Sequence, residues 1–234
     1  MSKGRTQRFL VVGLFLIGAT LLGKGLYMQA KAHFAQYLIE QAWTKTLADG
    51  QSHKPWSWAD TYPVAKLSIY REQAANNDIE AELNDSLYVL AGASGRNLAF
   101  GPSLVLSSAP AGQKGNTVIA GHRDTHFAIL NGMAVGRRLS LQTLNGNHII
   151  YEVVATQVVH ETETQFMAPS DDNRLTLITC YPFDALQGGA ELRFVVQAIP
   201  VEDESMDTVS ADVSASAGNG MQGKVTSVSR SFTH

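Results

Sequence analysis

Cysteine is all but absent. Cys180 stands alone among 234 residues, so no disulfide can form within the chain and nothing in the fold is stapled by one. Charge is sparse as well: charged residues make up 17% of the chain and the formal net charge is -3. That leaves no basic excess to neutralise phosphates, and nucleic acid is excluded as an expected partner. There is no P-loop to cradle a nucleoside triphosphate and no Cys-x-x-Cys pair for disulfide exchange. No internal repeat divides the chain. A lone cysteine is most often a small buried hydrophobe, and only its surroundings can assign it a chemical role.

Apolar residues, at 44%, are sufficient for a core, and the first of them form one run. Phe9 to Gly23 carries no charge and follows Lys3, Arg5 and Arg8. Its fifteen residues fall short of the ~20 that span a bilayer. Lys24 can snorkel, however, and Gly25, Leu26, Tyr27 and Met28 prolong the apolar stretch. Residues 9–28 are therefore read as an uncleaved transmembrane signal anchor. Basic residues ahead of a span stay inside, so residues 1–8 are a cytoplasmic N-terminus and the rest of the chain lies outside the cytoplasm. A cleaved signal peptide competes with this, but Ala30-Lys31-Ala32, its processing site, lies far downstream and carries a lysine. A lone thiol outside the cytoplasm has no structural disulfide to make, which favours a chemical role.

Beyond the anchor, Phe34, Tyr37, Leu38, Ala42 and Trp43 recur near helical spacing. They predict a helix over about 29–47, ended by Asp49-Gly50-Gln51-Ser52, within a helical linker of residues 29–55. From Trp56 the pattern changes to short β-rich runs separated by Gly, Pro and Asn. Ala65, Leu67 and Ile69 alternate with polar neighbours. Leu87 to Leu90, Thr117 to Ala120, Arg138 to Leu144, His148 to Val159, Arg174 to Cys180 and Leu192 to Ile199 supply further runs. Asn145-Gly146 marks a hairpin, since both residues tolerate positive φ. One short helix is expected around 127–133. So many short strands predict a mainly β domain over 56–200, closed or nearly closed into a barrel. From Val201 the chain turns polar, with seven serines between Ser205 and Ser231. Such a segment buries too little to offset the entropy of ordering, so residues 201–234 are expected to be a disordered tail.

Three residues sit at strand edges, where a rigid scaffold presents side chains to a cleft. His122 follows TVIAG, Cys180 ends the strand RLTLIT, and Arg193 begins LRFVV. A thiol attacks as thiolate and gains from nearby positive charge. An imidazole supplies that charge and then protonates a leaving amine. A guanidinium donates to the oxyanion formed when a carbonyl is attacked. Such a trio suffices for acyl transfer, although spacing alone does not bring its members together. At neutral pH an ordinary thiol is mostly protonated and an ordinary imidazole mostly neutral. The reactive form is then a minor population holding thiolate and imidazolium together.

The local sequences sharpen this. Asn116 to Phe127 reads NTVIAGHRDTHF, Leu175 to Phe183 reads LTLITCYPF, and Glu191-Leu192-Arg193 follows. Over 56–198 these segments resemble the sortase family of cysteine transpeptidases. Trp56 to Leu67, WSWADTYPVAKL, is similar to the start of the subfamily found in Gram-negative bacteria. The resemblance implies an eight-stranded β-barrel with short helices. It implies cleavage of a C-terminal sorting signal, similar to LPxTG, on a secreted protein, through a thioester on the cysteine. An amine-bearing acceptor of the cell envelope then resolves the thioester. Carried over residue by residue, His122 is the general acid/base, Cys180 the nucleophile and Arg193 the substrate and oxyanion donor, with Thr179 lining the substrate site. No cofactor or metal is implied. The anchor then sits in the inner membrane with the barrel on the periplasmic side.

Several rivals stand beside this. In HRDTH, His122 and His126 are four apart, a spacing that on a helix would suit zinc, but Arg123 stands where a metalloprotease has glutamate. An anchored, non-enzymatic β-domain leaves both motifs unexplained. A cysteine hydrolase shares the first chemical step and differs only in using water for the second. Asp171-Asp172 invites calcium by analogy, yet adjacent loop acids are ordinarily solvated. Asp124 is placed either to orient His122 or Arg193 or to make a loop salt bridge. Trp56 and Trp58 suit core packing or a membrane-facing position.

Overall fold

The computed structural model describes residues 3–70, 83–185 and 189–201; the expected tail beyond 201 lies outside them. The chain starts with one α-helix, α1 (Lys3–Asp49). The expected anchor (9–28) and the expected helix of the linker (29–47) fall within this one helix. Nothing there breaks a helix: no proline intervenes, and a single Gly25 is tolerated. The helix stops where expected, at Gly50, which takes φ +72 and donates back to the Thr46 carbonyl at 2.8 Å. Its first half exposes Phe9, Leu14, Phe15, Leu21 and Leu22, with a mean hydropathy of 2.0 over the most apolar window. Its second half buries Ile39, Ala42, Trp43 and Thr46. Trp43 Nε1 donates to Gln142 at 3.4 Å, and Gln36 to the Phe100 carbonyl at 2.6 Å.

Eight strands follow: β1 (Pro63–Tyr70), β2 (Leu83–Ala91), β3 (Ser103–Leu104), β4 (Gly115–Ala120), β5 (Arg138–Gln142), β6 (His148–His160), β7 (Asn173–Tyr181) and β8 (Leu192–Pro200). They close a barrel in the order β1-β2-β3-β4-β7-β8-β6-β5. Closure removes free strand edges. The two-residue β3 and the short helix α2 (Gly95–Leu98) carry too few residues for a periodic signal, and neither was foreseen. Trp56 packs edge-on against Phe100 at 5.0 Å, whereas Trp58 is 74% exposed.

Alternation fills the barrel. Ala65, Leu67 and Ile69 of β1 point inward with Leu139 and Leu141 of β5, Tyr151 and Val153 of β6, Leu175 and Leu177 of β7, and Val196 and Ala198 of β8. A 3-10 turn, His126–Leu130, stands where a short helix was expected and drives Phe127 and Leu130 into this core. That turn explains Gly121. A Cβ there would lie 2.6 Å from Cγ of Phe127, and the ring is wholly buried, so it cannot swing aside.

Gly121→Ala should therefore lower stability by about 1–3 kcal/mol, the usual result of overpacking. Urea unfolding would show it as a lower midpoint at an unchanged slope; an unchanged midpoint would mean that the turn gives way freely.

Candidate active site

The site is built where β4 and β7 run side by side. They pair in parallel from Gly115↔Asn173 to Ala120↔Ile178, so both strands reach the same rim together. Gly121 N–H extends the ladder by one bond, to the Ile178 carbonyl at 3.1 Å. His122 and Cys180 therefore each stand two positions past the last pair, Ala120↔Ile178. β8 returns antiparallel to β7, with Cys180 and Arg193 as register partners. Directly opposed residues place their side chains on one face. Leu175, Leu177 and Thr179 take the inward positions of β7, which leaves Cys180 and Arg193 on the outer face. Cys180 is half-buried with a free thiol, and His122 is exposed at the rim.

Thr179 is fully buried, and its hydroxyl donates to the Gly121 carbonyl at 2.8 Å. This inward position on β7, with the hydroxyl committed to Gly121, ties the strand that bears Cys180 to the His122 turn. The His122 carbonyl in turn accepts from Phe127 N–H at 3.0 Å.

Arg123 was set aside in the sequence as an obstacle to metal binding; the structure gives it a role. Its side chain is 4% exposed. The guanidinium donates to the carbonyls of Pro182 at 2.9 Å and Ala185 at 3.1 Å, and to the Asp124 carboxylate at 3.3 Å. It thus clamps the segment after Cys180 onto the turn bearing His122. Asp124 makes a loop salt bridge with Arg123 rather than meeting Arg193. A planar fork meeting two carbonyls at once is a task for arginine, but no local pattern reveals which carbonyls the fold will bring to it.

Arg193 shares its register with Cys180, yet its guanidinium is engaged elsewhere. It donates to the Glu161 carboxylate at 2.6 Å and to the carbonyls of Ala190 and Leu192 at 2.6 and 3.0 Å. Glu161 lies just past β6, in a connection pinned to the barrel by Asn116. The Asn116 amide donates to the Phe166 and Ala168 carbonyls at 2.9 and 3.0 Å, and its own oxygen accepts from buried Thr176 at 2.7 Å. The rings of Tyr181, Phe183 and Phe194 pack with centroids 5.5–6.4 Å apart. Asn131, Tyr181, Phe183 and Asp184 line a small opening of about 310 Å³.

The histidine pair of HRDTH is not helical. His122 belongs to a loop and His126 begins the 3-10 turn, so the one-face spacing required for zinc does not exist. His126 is half-buried. Burial first, and then the like charge of His122, hold its imidazole below the ordinary value, towards the neutral form. Asp172 is matched to Arg174 at 2.7 Å. Hydrogen bonds from Arg174 and then Ser170 hold its carboxyl below the usual range.

Comparison with known proteins agrees with this architecture. The family model described as the Sortase domain matches residues 79–201, more than half of the chain. Sortase D of Bacillus subtilis is 29% identical over 116 residues, covering 49% of this chain and 58% of its own length. The chain thus spans little more than half of that relative. Sortase A of Listeria monocytogenes is 26% identical over 183 residues, covering 73% of this chain and 80% of its own. Among solved structures, Sortase A from Corynebacterium diphtheriae superposes with a TM-score of 0.51 at 25% identity, over 65% of this chain and 66% of that one.

Two outcomes test the site's construction. Arg123→Met strips two carbonyls of a charged donor, and bonds to charged groups contribute about 1.5–3 kcal/mol each. Hydrogen exchange should quicken at 183–185 before the rest of the barrel; uniform exchange across both proteins would dismiss the clamp. By NMR, His126 should titrate below an ordinary histidine, and His122→Gln should restore only the smaller part of the difference. The sign for stability follows: the unfolded chain takes up this proton more readily. The contribution of His126 is therefore complete above the unfolded value of ~6.5 and is lost as pH falls from there to the folded value.

Proposed function

The chain belongs to the sortase family, and from that premise we propose that it is a membrane-anchored cysteine transpeptidase. It cleaves a C-terminal, LPxTG-like sorting signal of a secreted protein and transfers the shortened protein to an amine of the cell envelope. The observation that carries this is the register pair Cys180↔Arg193, set beside a His122 turn that Thr179 and Arg123 tie to the same strand and its loop.

In this mechanism Cys180 Sγ attacks the scissile carbonyl carbon. A C–S bond forms, the carbonyl oxygen takes the negative charge, and Arg193 donates to it after leaving Glu161. His122 delivers its proton to the departing amine nitrogen as the C–N bond breaks. The thioester is then attacked by the acceptor amine. One amine proton passes to His122 and from there to the Cys180 thiolate, which regenerates the free enzyme. The mechanism uses no cofactor. Water in place of the amine gives hydrolysis through the same thioester.

The apolar first half of α1 supports residues 9–28 as the anchor, with 1–8 in the cytoplasm, 29–55 as linker, 56–200 as catalytic domain and 201–234 as tail. Placement in an inner membrane, with the barrel on the periplasmic side, rests on the basic residues ahead of the span and on the resemblance of Trp56 to Leu67.

The full chain in detergent, mixed with a library of LPxTG-like peptides and several amines, should give a mass adduct on Cys180 that resolves into an amide. Cys180→Ala should give neither, and Arg193→Ala should slow adduct formation by about 10²–10³, as for loss of an oxyanion donor. Resolution by water alone, with every amine supplied, would make the protein a hydrolase. An adduct on no peptide would count against the acyl-transfer assignment.

A further inference from the structure

A second groove opens beside the turn that starts at His122, and the chemistry above does not use it. It measures about 730 Å³ and lies between α1 and the barrel, well within the size of small-molecule and peptide sites. Glu40, Tyr37 and His33 line it from α1, Tyr88 from β2, and Thr125 with His126 from the turn that starts at His122. Among the described residues no lysine or arginine lines it. Glu40 is its one carboxylate, and Tyr88 shares the lining with it. Burial first, and then the Glu40 charge, push the Tyr88 phenol up. Lys66 sits over the Tyr88 ring at 5.8 Å but is not part of the lining. A carboxylate flanked by two phenol rings is the chemistry that holds an organic ammonium, by charge-assisted hydrogen bond and by ring faces.

The groove has a direction. His33 and Glu40 are seven residues apart, about 10 Å along the helix, room for a chain of two or three peptide units. One end is the Thr125–His126 turn, where His126 feels the charge of His122. Thr125 Oγ1 and His126 Nδ1 lie 3.3 Å apart, and Thr125 N–H donates to the His122 carbonyl at 3.4 Å. The donor peptide, in contrast, must meet Cys180 and Arg193 on the outer face of β7 and β8. A two-substrate reaction with a covalent intermediate needs a path to the base that the acylated donor does not fill.

We propose that the groove formed by His33, Tyr37, Glu40, Tyr88, Thr125 and His126 is the docking site of the amine-bearing acceptor. The inference rests on the transpeptidase function proposed above and names the place of its second substrate. The acceptor binds as a cationic amine or an amino-terminal peptide. Its ammonium gives up one proton to solvent as it leaves Glu40. The neutral amine nitrogen attacks the thioester carbon; a C–N bond forms and the C–S bond breaks. The second amine proton moves through His122 to the Cys180 sulfur. The wall supplied by α1 begins within five residues of Met28, so the site faces acceptors held near the bilayer.

The test is the ratio of amide to acid product, with the full chain in detergent acylated by whichever library peptide labels Cys180. Cadaverine and triglycine amide serve as acceptors, and hydroxylamine as a small neutral nucleophile with nothing for Glu40 to hold. Glu40→Gln should lower the ratio about tenfold with the first two, the scale of one charge-assisted bond, and leave it unchanged with hydroxylamine. Tyr88→Phe should lower it about threefold in the same pattern. Glu40 is exposed, so its replacement does not threaten folding. A ratio unmoved by Glu40→Gln would overturn the site, as would an equal fall with hydroxylamine. A wild-type chain that never forms the thioester would instead remove the parent function, and the groove's role with it.

Discussion

Parallel pairing of β4 with β7 is the constraint on which the site depends. In an antiparallel barrel, neighbouring strands leave at opposite rims, and the residue that ends one strand is far from the residue that ends the next. Here the two strands that lead to His122 and Cys180 run together over six register pairs, and each of these residues stands two positions past the last pair. The Gly121 N–H bond to Ile178 and the Thr179 hydroxyl bond to Gly121 then carry the order past the last ladder residue. A parallel pair cannot be joined by a short turn. The long excursion between them, through β5, β6 and the 3-10 turns, is what supplies Glu161 and the loop that Asn116 pins. The requirement for parallel strands and the provision of a covered site are thus one topological fact.

Buried polar groups hold this rim together, and each has its partners. Asn116 uses its oxygen on Thr176 and its amide on two loop carbonyls. Arg123 spreads its guanidinium over Pro182, Ala185 and Asp124. An unpartnered charge at such a position would cost several kcal/mol, so the folded rim has little freedom to rearrange around Arg123. Phe127 works from below: its ring forbids a side chain at Gly121, and its backbone N–H donates to the carbonyl of His122. Positioning is therefore shared by hydrogen bonds above the rim and by packing beneath it.

Much of this was legible in the sequence where period and turn chemistry are strong. The inward residues of β1, the Asn145-Gly146 turn, the stop at Gly50 and seven of the eight strands can be read from alternation and glycine placement. The trio His122, Cys180 and Arg193 could be picked out by position and motif, since each sits beside a regular run. What could not be read is whatever depends on long-range register. The two-residue β3 has no period. The continuity of α1 past Met28 reflects the lack of a breaker rather than the presence of a signal. The bond from Thr179 to Gly121 depends on the inward phase of β7 and on its pairing with β4, neither of which the local sequence gives. Arg123 pairs across some sixty positions with carbonyls, and no side-chain pattern marks a carbonyl as a future partner.

The pairing of Arg193 with Glu161 bears on how such a rim stays responsive. Both side chains are partly exposed, at 28% and 46%, and ion pairs of this kind contribute only about 0–1 kcal/mol. In the acyl-transfer mechanism proposed above, exchanging Glu161 for the developing oxyanion therefore forfeits little. Without Glu161, Arg193 would be free to sample several directions, and ordering it would cost entropy at the moment of use. With it, the guanidinium is kept on the flank of β8 next to Cys180, and its retained bonds to Ala190 and Leu192 limit how far it must move. Arg123 and Arg193 thus divide the work by burial. The buried guanidinium is committed to carbonyls and holds the frame, while the partly exposed one, at the rim, shares an exposed ion pair with Glu161.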